Sequence, residues 1–598
     1  MSRFSVFVSV TLLGLWSATT ALSETGIFFN TPGAEDDLRD AVIASSLLRQ
    51  AQRENVTDTQ ELLAAAQADY ARLLGVLYSK ARYGSVINIL VDGREAAAIP
   101  PLNPPDRINR ITVRVTAGPP YLFSNATVAP LAPGTEVPVE FARGQTASTD
   151  VIRQTADVAI EGWRLNGHAK AEIEAQRIIA RHSERRLSAR LKVAPGPKLR
   201  FGQINVEGNE DVSTRRVLKI AGLQPGTTYD PTEIERALKR LRRTGTFRSV
   251  VVDEADQIGP NRTLPLTIGV VEQTPRRFGV GAEYSTVDGL RLSGFWLHRN
   301  LLGGAERFRV DAEVAGITGE TGGTDYSLGV RIERPATPRA DVDAYIEATY
   351  EAMDEPDFES ETAEVVLGFT RYATDDLIVD FGAGFLYSDV TDDFGRETYT
   401  LLTLPLSAVY ERRNDQLNPT DGYFVDLEVT PFKGLSGTES GVRTALDARG
   451  YESFGQNDRL TFAARLQLGS LAGPDLLDSP PFYRFYSGGG GTVRGQDYQS
   501  LAVDLGGGNR SGGRSFLGLS GEIRAGVTEN IQLVGFADWG YVGSEAFPDL
   551  SGDSHAGAGL GVRYNTGIGP IRLDVAVPVA GDTEASDFYL YIGIGQAF

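Results

Sequence analysis

The spacing of apolar residues divides the chain near Pro275. Before that point two periods alternate. Residues 35–52 and 58–81 carry apolar positions at helical spacing. The second stretch places Leu62, Leu63, Ala66, Tyr70, Leu73, Leu74 and Leu77 on one broad face. Gly26–Asn30 is a short apolar run ending at Thr31-Pro32-Gly33, and Val86–Val91 and residues 108–115 alternate as strands do. Beyond Arg276 the helical period disappears. Segments of about ten residues alternate small or apolar with polar positions, between Gly, Asp, Asn and Pro turns.

An internal repeat sets the modules of the first part. Val115-Thr-Ala-Gly-Pro-Pro-Tyr-Leu-Phe123 returns as Val193-Ala-Pro-Gly-Pro-Lys-Leu-Arg-Phe201. Each copy is predicted to end one strand, turn through Gly-Pro, and open the next module's first strand. Between the copies, residues 148–165 and 170–177 read as helices and 187–193 as a strand. After them, 201–206 reads as a strand and 213–221 as a helix with Ser213 as candidate N-cap. Asp230-Pro231 opens a helix over 232–244, and 247–253 and 264–272 close the sheet. The expectation is three α+β modules of order β-α-α-β-β, over 24–118, 119–198 and 199–275.

The second part reads as one barrel over 276–598. The clear strands are 309–314, 326–332, 342–350, 377–386, 423–429, 460–468, 517–524, 531–539, 571–577 and 588–598. Weaker segments bring the count to about sixteen antiparallel strands, an even number suited to an outer-membrane barrel. In the last segment Phe588, Leu590, Ile592, Ile594 and Phe598 share one face, and Tyr589, Tyr591, Gly593, Gly595 and Ala597 the other. A soluble sandwich or propeller does not account for so apolar a band.

Composition narrows the choice. The net charge of -20 and pI near 4.8 leave no nucleic-acid footprint. With no cysteine, disulfides and thiolate metal sites are excluded. His168, His182, His298 and His555 show no ligand spacing. Arg3, an apolar run over 6–16 and Ala21-Leu22-Ser23 read as an export signal over 1–23. No later run of about eighteen apolar residues follows. Nucleophile elbow, metal spacing and phosphate loop are all missing; Gly488 to Gly491 lacks the lysine a phosphate loop needs. The chain is therefore expected to be no enzyme and to hold no cofactor or metal.

The longest region without strand pattern in the second part is 471–513. It holds four consecutive glycines and then Val493-Arg494-Gly495. Downstream lie Gly521-Glu522, Phe536-Ala537-Asp538 and the stretch from Gly567 to Asp574. With these residues the chain resembles the BamA/TamA superfamily of bacterial outer-membrane proteins. Those proteins have periplasmic POTRA modules followed by a sixteen-stranded barrel. The resemblance implies that Val493, Arg494 and Gly495 lie in the sixth extracellular loop, folded back into the lumen. It also implies that Glu522, Phe536 and Asp538 receive the arginine. Gln496 departs from the family's usual aromatic, although Tyr498 is close. Phe598 is similar to the C-terminal assembly signal, with Gln596 where an aromatic is common. Alternation supports the placement: carboxylates at 522 and 538 are costly on a lipid face, and an arginine can fork onto them inside.

The module count most resembles the TamA type; BamA-type members usually carry five modules and two-partner secretion transporters two. The resemblance implies a translocation and assembly factor for autotransporters and other barrel proteins. It would act with a large TamB-like periplasmic partner, client outer-membrane proteins and outer-membrane lipid. Phospholipid transport is a further activity of the family. A BamA-like general insertase, a two-partner secretion pore and a passive porin remain alternatives. Closing the barrel requires the first strand, 277–285, to pair with the last. Gly279, Gly281, Gly593 and Gly595 weaken both strands and make this seam a candidate lateral gate; alternatively they only relieve crowding in the lumen. The basic helix 236–243 is expected to meet anionic headgroups or to stay solvated.

Overall fold

The computed structural model describes residues 25–286, 289–319, 322–455, 458–528, 530–567, 569–581, 587–594 and 596. The expected export signal over 1–23, Gly595 and Phe598 lie outside the described residues.

Three small sheets precede the barrel, and all share one strand order. The first runs Gly26–Asn30, Arg110–Thr116, Val86–Val91, Arg94–Glu95. The second runs Leu122–Ala129, Arg186–Ala194, Glu172–Arg181. The third runs Arg200–Glu207, Thr263–Glu272, Phe247–Glu254. In each, the unit's first strand lies beside its last. In the first two that pair is parallel, which demands a crossover, and helices supply it. The sequence repeat has a backbone counterpart. Gly118 and Gly196 both sit at left-handed φ, +65° and +67°, where a side chain is strained. Tyr121 and Leu199, three residues further on in each copy, are both buried.

The helix content differs between the units. In the first, the expected helix 35–52 breaks at Ser46 into Asp36–Ser45 and Leu47–Arg53. Asp69 of the long helix Thr59–Ser79 causes the break. It is buried, and its carboxylate accepts from Ser46 Oγ at 2.5 Å and Leu47 N at 2.7 Å. The second unit has one helix, Thr149–Leu165, so its order is β-α-β-β and not the expected β-α-α-β-β. Residues 170–177, read as helix, belong instead to the strand Glu172–Arg181, hairpinned onto Arg186–Ala194. Glu, Ala and Gln favour helix locally, but a neighbouring strand that supplies a ladder overrides so weak a preference. The third unit keeps the expected order, with helices Thr214–Ala221 and Pro231–Arg243.

From Arg276–Ser285 to Tyr589–Ile594 the chain forms a closed antiparallel barrel of sixteen strands. One strand is interrupted at Pro405, which cannot donate to a ladder. Its halves, Gly395–Thr403 and Leu406–Glu411, both pair with the same two neighbours. Among the described residues no helix is long and apolar enough to cross a membrane. Phe278, Val280, Leu367, Leu560 and Phe588 are exposed on the outer face. The first strand pairs with the second along its whole length. With the last it registers at Tyr284↔Ile592 and Ser285↔Tyr591. Gly279 and Gly281 face Phe295 and Ser293 of the second strand, and Gly593 faces Arg572, which pairs with Glu283.

The third α/β unit docks on the short turns at one end of the barrel. Buried Arg216 donates to Gly304 O and Pro335 O. The basic helix, expected to meet anionic headgroups or to stay solvated, turns part of its cationic face to the barrel. Arg240 forks onto Asp341 at 2.8 and 2.7 Å, Lys239 reaches Asp375 at 2.5 Å, and Arg243 covers the Tyr372 ring at 3.4 Å. Lys239, Arg240 and Arg243 thus meet barrel carboxylates, while Arg236 pairs with Glu233 of the helix itself.

Candidate functional site: an arginine cluster in the barrel lumen

The strands Leu460–Ala472 and Ser515–Gly526 pair directly, so the chain between them must leave the wall and return to the same edge. It does so by folding inward. Val493 is fully buried. Arg494 Nε donates to Asp538 Oδ2 at 2.7 Å and Nη2 to Asp538 Oδ1 at 3.0 Å, a bidentate fork. Its Nη1 donates to Glu522 Oε1 at 2.8 Å and reaches Asp574 Oδ2 at 3.4 Å. The guanidinium carbon lies 3.6 Å from the centre of the Phe536 ring. Gly495 turns at φ +86°, and a Cβ there would stand 2.6 Å from Val577 O. Its N–H donates to Tyr591 Oη at 3.2 Å.

Two further arginines complete the charge balance. Arg524 donates to Glu522 Oε2 at 2.9 Å, and Arg563 pairs with Asp574. Arg494, Arg524 and Arg563 thus face Glu522, Asp538 and Asp574, three cations against three anions, all buried. Buried charge is tolerated only when paired and hydrogen-bonded, and here every member is. Sequence reasoning missed Arg524, Arg563 and Asp574 as members. The signal was present: Arg524 shares the parity of Glu522, and Gly557, Gly559 and Gly561 open the same face at every second residue. A Cβ at these glycines would strike Arg494 O, the Phe536 ring and the Asp574 carboxylate respectively.

The rest of the loop is anchored elsewhere. Gln496, in the place of the usual aromatic, donates to Ala556 O at 2.7 Å and Ala580 O at 2.9 Å. Tyr498 Oη donates to Glu355 at 3.0 Å, and Arg510 to Asp357 at 2.6 Å, across the barrel from Asp538. Ser487 Oγ and His555 Nε2 stand 2.8 Å apart. Phe482, Tyr483, Phe485 and Tyr486 pack against Tyr399, Phe432, Phe516 and Phe358. Beside the loop a cavity of about 740 Å³ remains, lined by Arg277, Phe295, Asp311, Glu351 and Tyr498. The predicted seam glycines Gly279, Gly281 and Gly593 lie on the first and last strands.

A sixteen-stranded barrel with a docked α/β unit and a long loop bound inside defines an outer-membrane barrel of the POTRA-bearing class. The chain belongs to the Omp85 superfamily: the Omp85 superfamily domain matches residues 282–598. A POTRA domain, described as a surface antigen variable number repeat, matches 199–273. The outer membrane assembly factor BamA of Nitratidesulfovibrio vulgaris is 24% identical over 467 residues, 75% of this chain and 57% of that protein. The chain therefore spans less than two thirds of that relative's length. In fold, the crystal structure of Haemophilus ducreyi BamA lacking POTRA domains 1–3 matches with TM-score 0.63 at 15% identity, covering 79% of this chain and all of that one. CdiB from Acinetobacter baumannii matches with TM-score 0.50 at 12% identity, over 80% and 90% of the two chains.

Proposed function

We propose that this chain is a TamA-type outer-membrane translocation and assembly factor. It assists the insertion of autotransporters and other barrel proteins with a TamB-like periplasmic partner, and phospholipid transport is a further activity. The observation that carries the reading is the loop held in the lumen by Arg494 on Asp538, Glu522 and Asp574. A passive pore gains nothing from a lumen crossed by a buried, charge-balanced strut. The name of the N. vulgaris relative, an assembly factor, supports the same direction. Three α/β units of one sheet order support three modules over 24–118, 119–198 and 199–275, the count expected of the TamA type.

The test is insertion of an autotransporter barrel into liposomes that contain the purified chain. Accelerated insertion that Arg494→Ala abolishes supports the reading. Free conduction of small solutes with no acceleration would make it a porin. A dedicated secretion pore is the second reading, favoured by the open lumenal cavity beside the loop; it would move one client and ignore others. For the seam, cysteines belong at Tyr284 and Ile592, which register directly opposite. A disulfide there should halt insertion and reduction should restore it. Normal insertion by the locked barrel would leave Gly279, Gly281 and Gly593 a purely steric role.

A further inference from the structure

Two inserts enter the barrel, one from each end. The first is the loop that carries Arg494. The second is the turn 412–421, between Leu406–Glu411 and Gly422–Ser436. The connection 373–376 turns the preceding strand pair with four residues; this one has ten. Arg412 meets Asp376 at 3.2 Å, so the turn lies at the end where the third α/β unit docks. Its shape is set locally. Asn414 Oδ1 accepts from Thr420 N at 3.0 Å and Asp421 N at 3.2 Å. Asp415 Oδ1 accepts from Leu417 N at 2.7 Å and Asn418 N at 2.8 Å. Gly422 turns at φ +97°, where an added Cβ would stand 2.1 Å from Arg412 O. The stiffened turn then reaches across the mouth of the barrel. Thr420 O accepts from Ser453 Oγ at 2.6 Å, and the carbonyl of buried Pro419 from Arg524 Nη1 at 3.3 Å. Asn418 Oδ1 accepts from Gln596 Nε2 at 2.8 Å, and Gln596 Oε1 from Arg563 Nε at 2.9 Å.

Gly422–Ser436 is the ninth strand and Tyr589–Ile594 the sixteenth, so the bridge joins nearly opposite walls. Apolar burial does not hold it there, because Leu417 stays 49% exposed. Gln596, which departs from the family's aromatic, completes it. An amide donates to one partner and accepts from the other; a phenyl ring can do neither. Arg524 and Arg563 are also the arginines that balance Glu522 and Asp574 around Arg494. Loop and turn therefore hang, from opposite ends, on one buried charge cluster. In such a network a change at one member is felt at the others. We propose that the turn 412–421 is a plug wired to the loop lock, so that loosening either insert loosens the other. Arg524 and Arg563 carry the coupling, and Gln596 positions the far end of the turn. This wiring is independent of which client the barrel serves, so either reading can fail alone.

The experiment uses the full chain in nanodiscs. The chain has no cysteine, so Thr461→Cys supplies a single thiol. Thr461 is 3% exposed and stands 2.8 Å from Ser453, the residue bonded to the turn. Labelling by a charged thiol reagent reports on the plug, and hydrogen exchange is followed in parallel. Gln596→Leu and, separately, Asn418→Ala should speed labelling and quicken exchange of both 412–421 and 493–498 by about tenfold, a usual size for linked sites. Asn418→Ala leaves the last strand untouched and carries the test should Gln596→Leu fold poorly. Coupling is reciprocal, so Arg494→Ala should loosen 412–421 as well. Gln416→Ala, at an exposed position of the same turn, should change neither segment. A turn with a merely structural role would loosen alone. Loosening confined to 412–421, full protection of 412–421 in Arg494→Ala, or a thiol labelled no faster than in the parent would overturn the proposal.

Discussion

Two arginines fork onto aspartates of the same barrel at nearly the same distances and in opposite surroundings. Arg494 meets Asp538 at 2.7 and 3.0 Å with side chains 4% and 1% exposed. Arg240 meets Asp341 at 2.8 and 2.7 Å with side chains 11% and 42% exposed. The geometry is alike; the energetics are not. Inside the lumen the charges have no bulk water to return to, so each depends on its partner. At the rim the aspartate stays hydrated, and the pair adds little beyond orientation. The first arrangement makes a lock, the second a dock.

The largest expected effect is that of Arg494→Ala. It leaves Asp538 without its fork and Glu522 and Asp574 sharing two arginines. Breaking a buried pair from one side costs about 3–5 kcal/mol. The folded barrel should lose its resistance to heating in gel-mobility assays, with no dependence on salt. Arg494→Lys should recover only part, because an ammonium cannot fork. Wild-type melting of Arg494→Ala would remove the distinction between lock and dock.

The loop should not leave the lumen in that variant, since its aromatic end is held separately. Phe485 stacks on Phe516 at 6.5 Å and is 9% exposed. Phe485→Ala is the reciprocal experiment, expected to cost about 3 kcal/mol through the cavity it leaves. Hydrogen exchange distinguishes the two. Arg494→Ala should loosen 493–498 and spare 481–487, and Phe485→Ala should do the reverse. Simultaneous loosening of both segments in either variant would show one anchor instead of two.

Much of the lock was legible in the sequence, and the dock was not. Arg494, Glu522, Phe536 and Asp538 are set by a motif and by two-residue parity, and both survive folding unchanged. Arg524, Arg563 and Asp574 needed one further step, to ask which other charges share that parity and which glycines make room for them. The aromatic anchor was invisible because Phe485 and Phe432 meet only once the barrel closes. The dock was invisible for a related reason: Arg240 and Asp341 are far apart in sequence, and a basic helix carries no mark of its partner. The strand Glu172–Arg181 was misread because its helical composition is local and its partner hairpin is not. The sixteen strands were readable because each repeats the same signal.

A smaller effect is expected at Gly495. Its φ of +86°, and the 2.6 Å that would separate an added Cβ from Val577 O, leave alanine strained in two ways. Gly495→Ala should cost about 1–3 kcal/mol. Since Arg494 shares this turn, insertion activity should fall further than stability. If stability falls and insertion does not, the turn only fits the loop and does not aim the arginine.

The smallest effect belongs to the dock, and pH exposes it. The hydrogen bond from Arg240 holds the Asp341 carboxyl below its usual range; partial burial opposes that shift, and Arg243 at 3.8 Å adds to it. A carboxylate whose folded pKa is depressed contributes stability above its unfolded value, about 3.9. That contribution is lost as pH falls through the folded pKa. Because Asp341 is 42% exposed, screening limits the contribution to less than about 1 kcal/mol. Exchange protection of Pro231–Arg243 in the full chain should therefore weaken in acid, and high salt at neutral pH should weaken it similarly. Asp341→Asn should remove most of both responses, while Arg494 stays protected throughout. A dock as insensitive to salt as the lock would mean that burial, and not ion pairing, holds the third α/β unit to the barrel. The buried contacts of Arg216 would then become its main attachment.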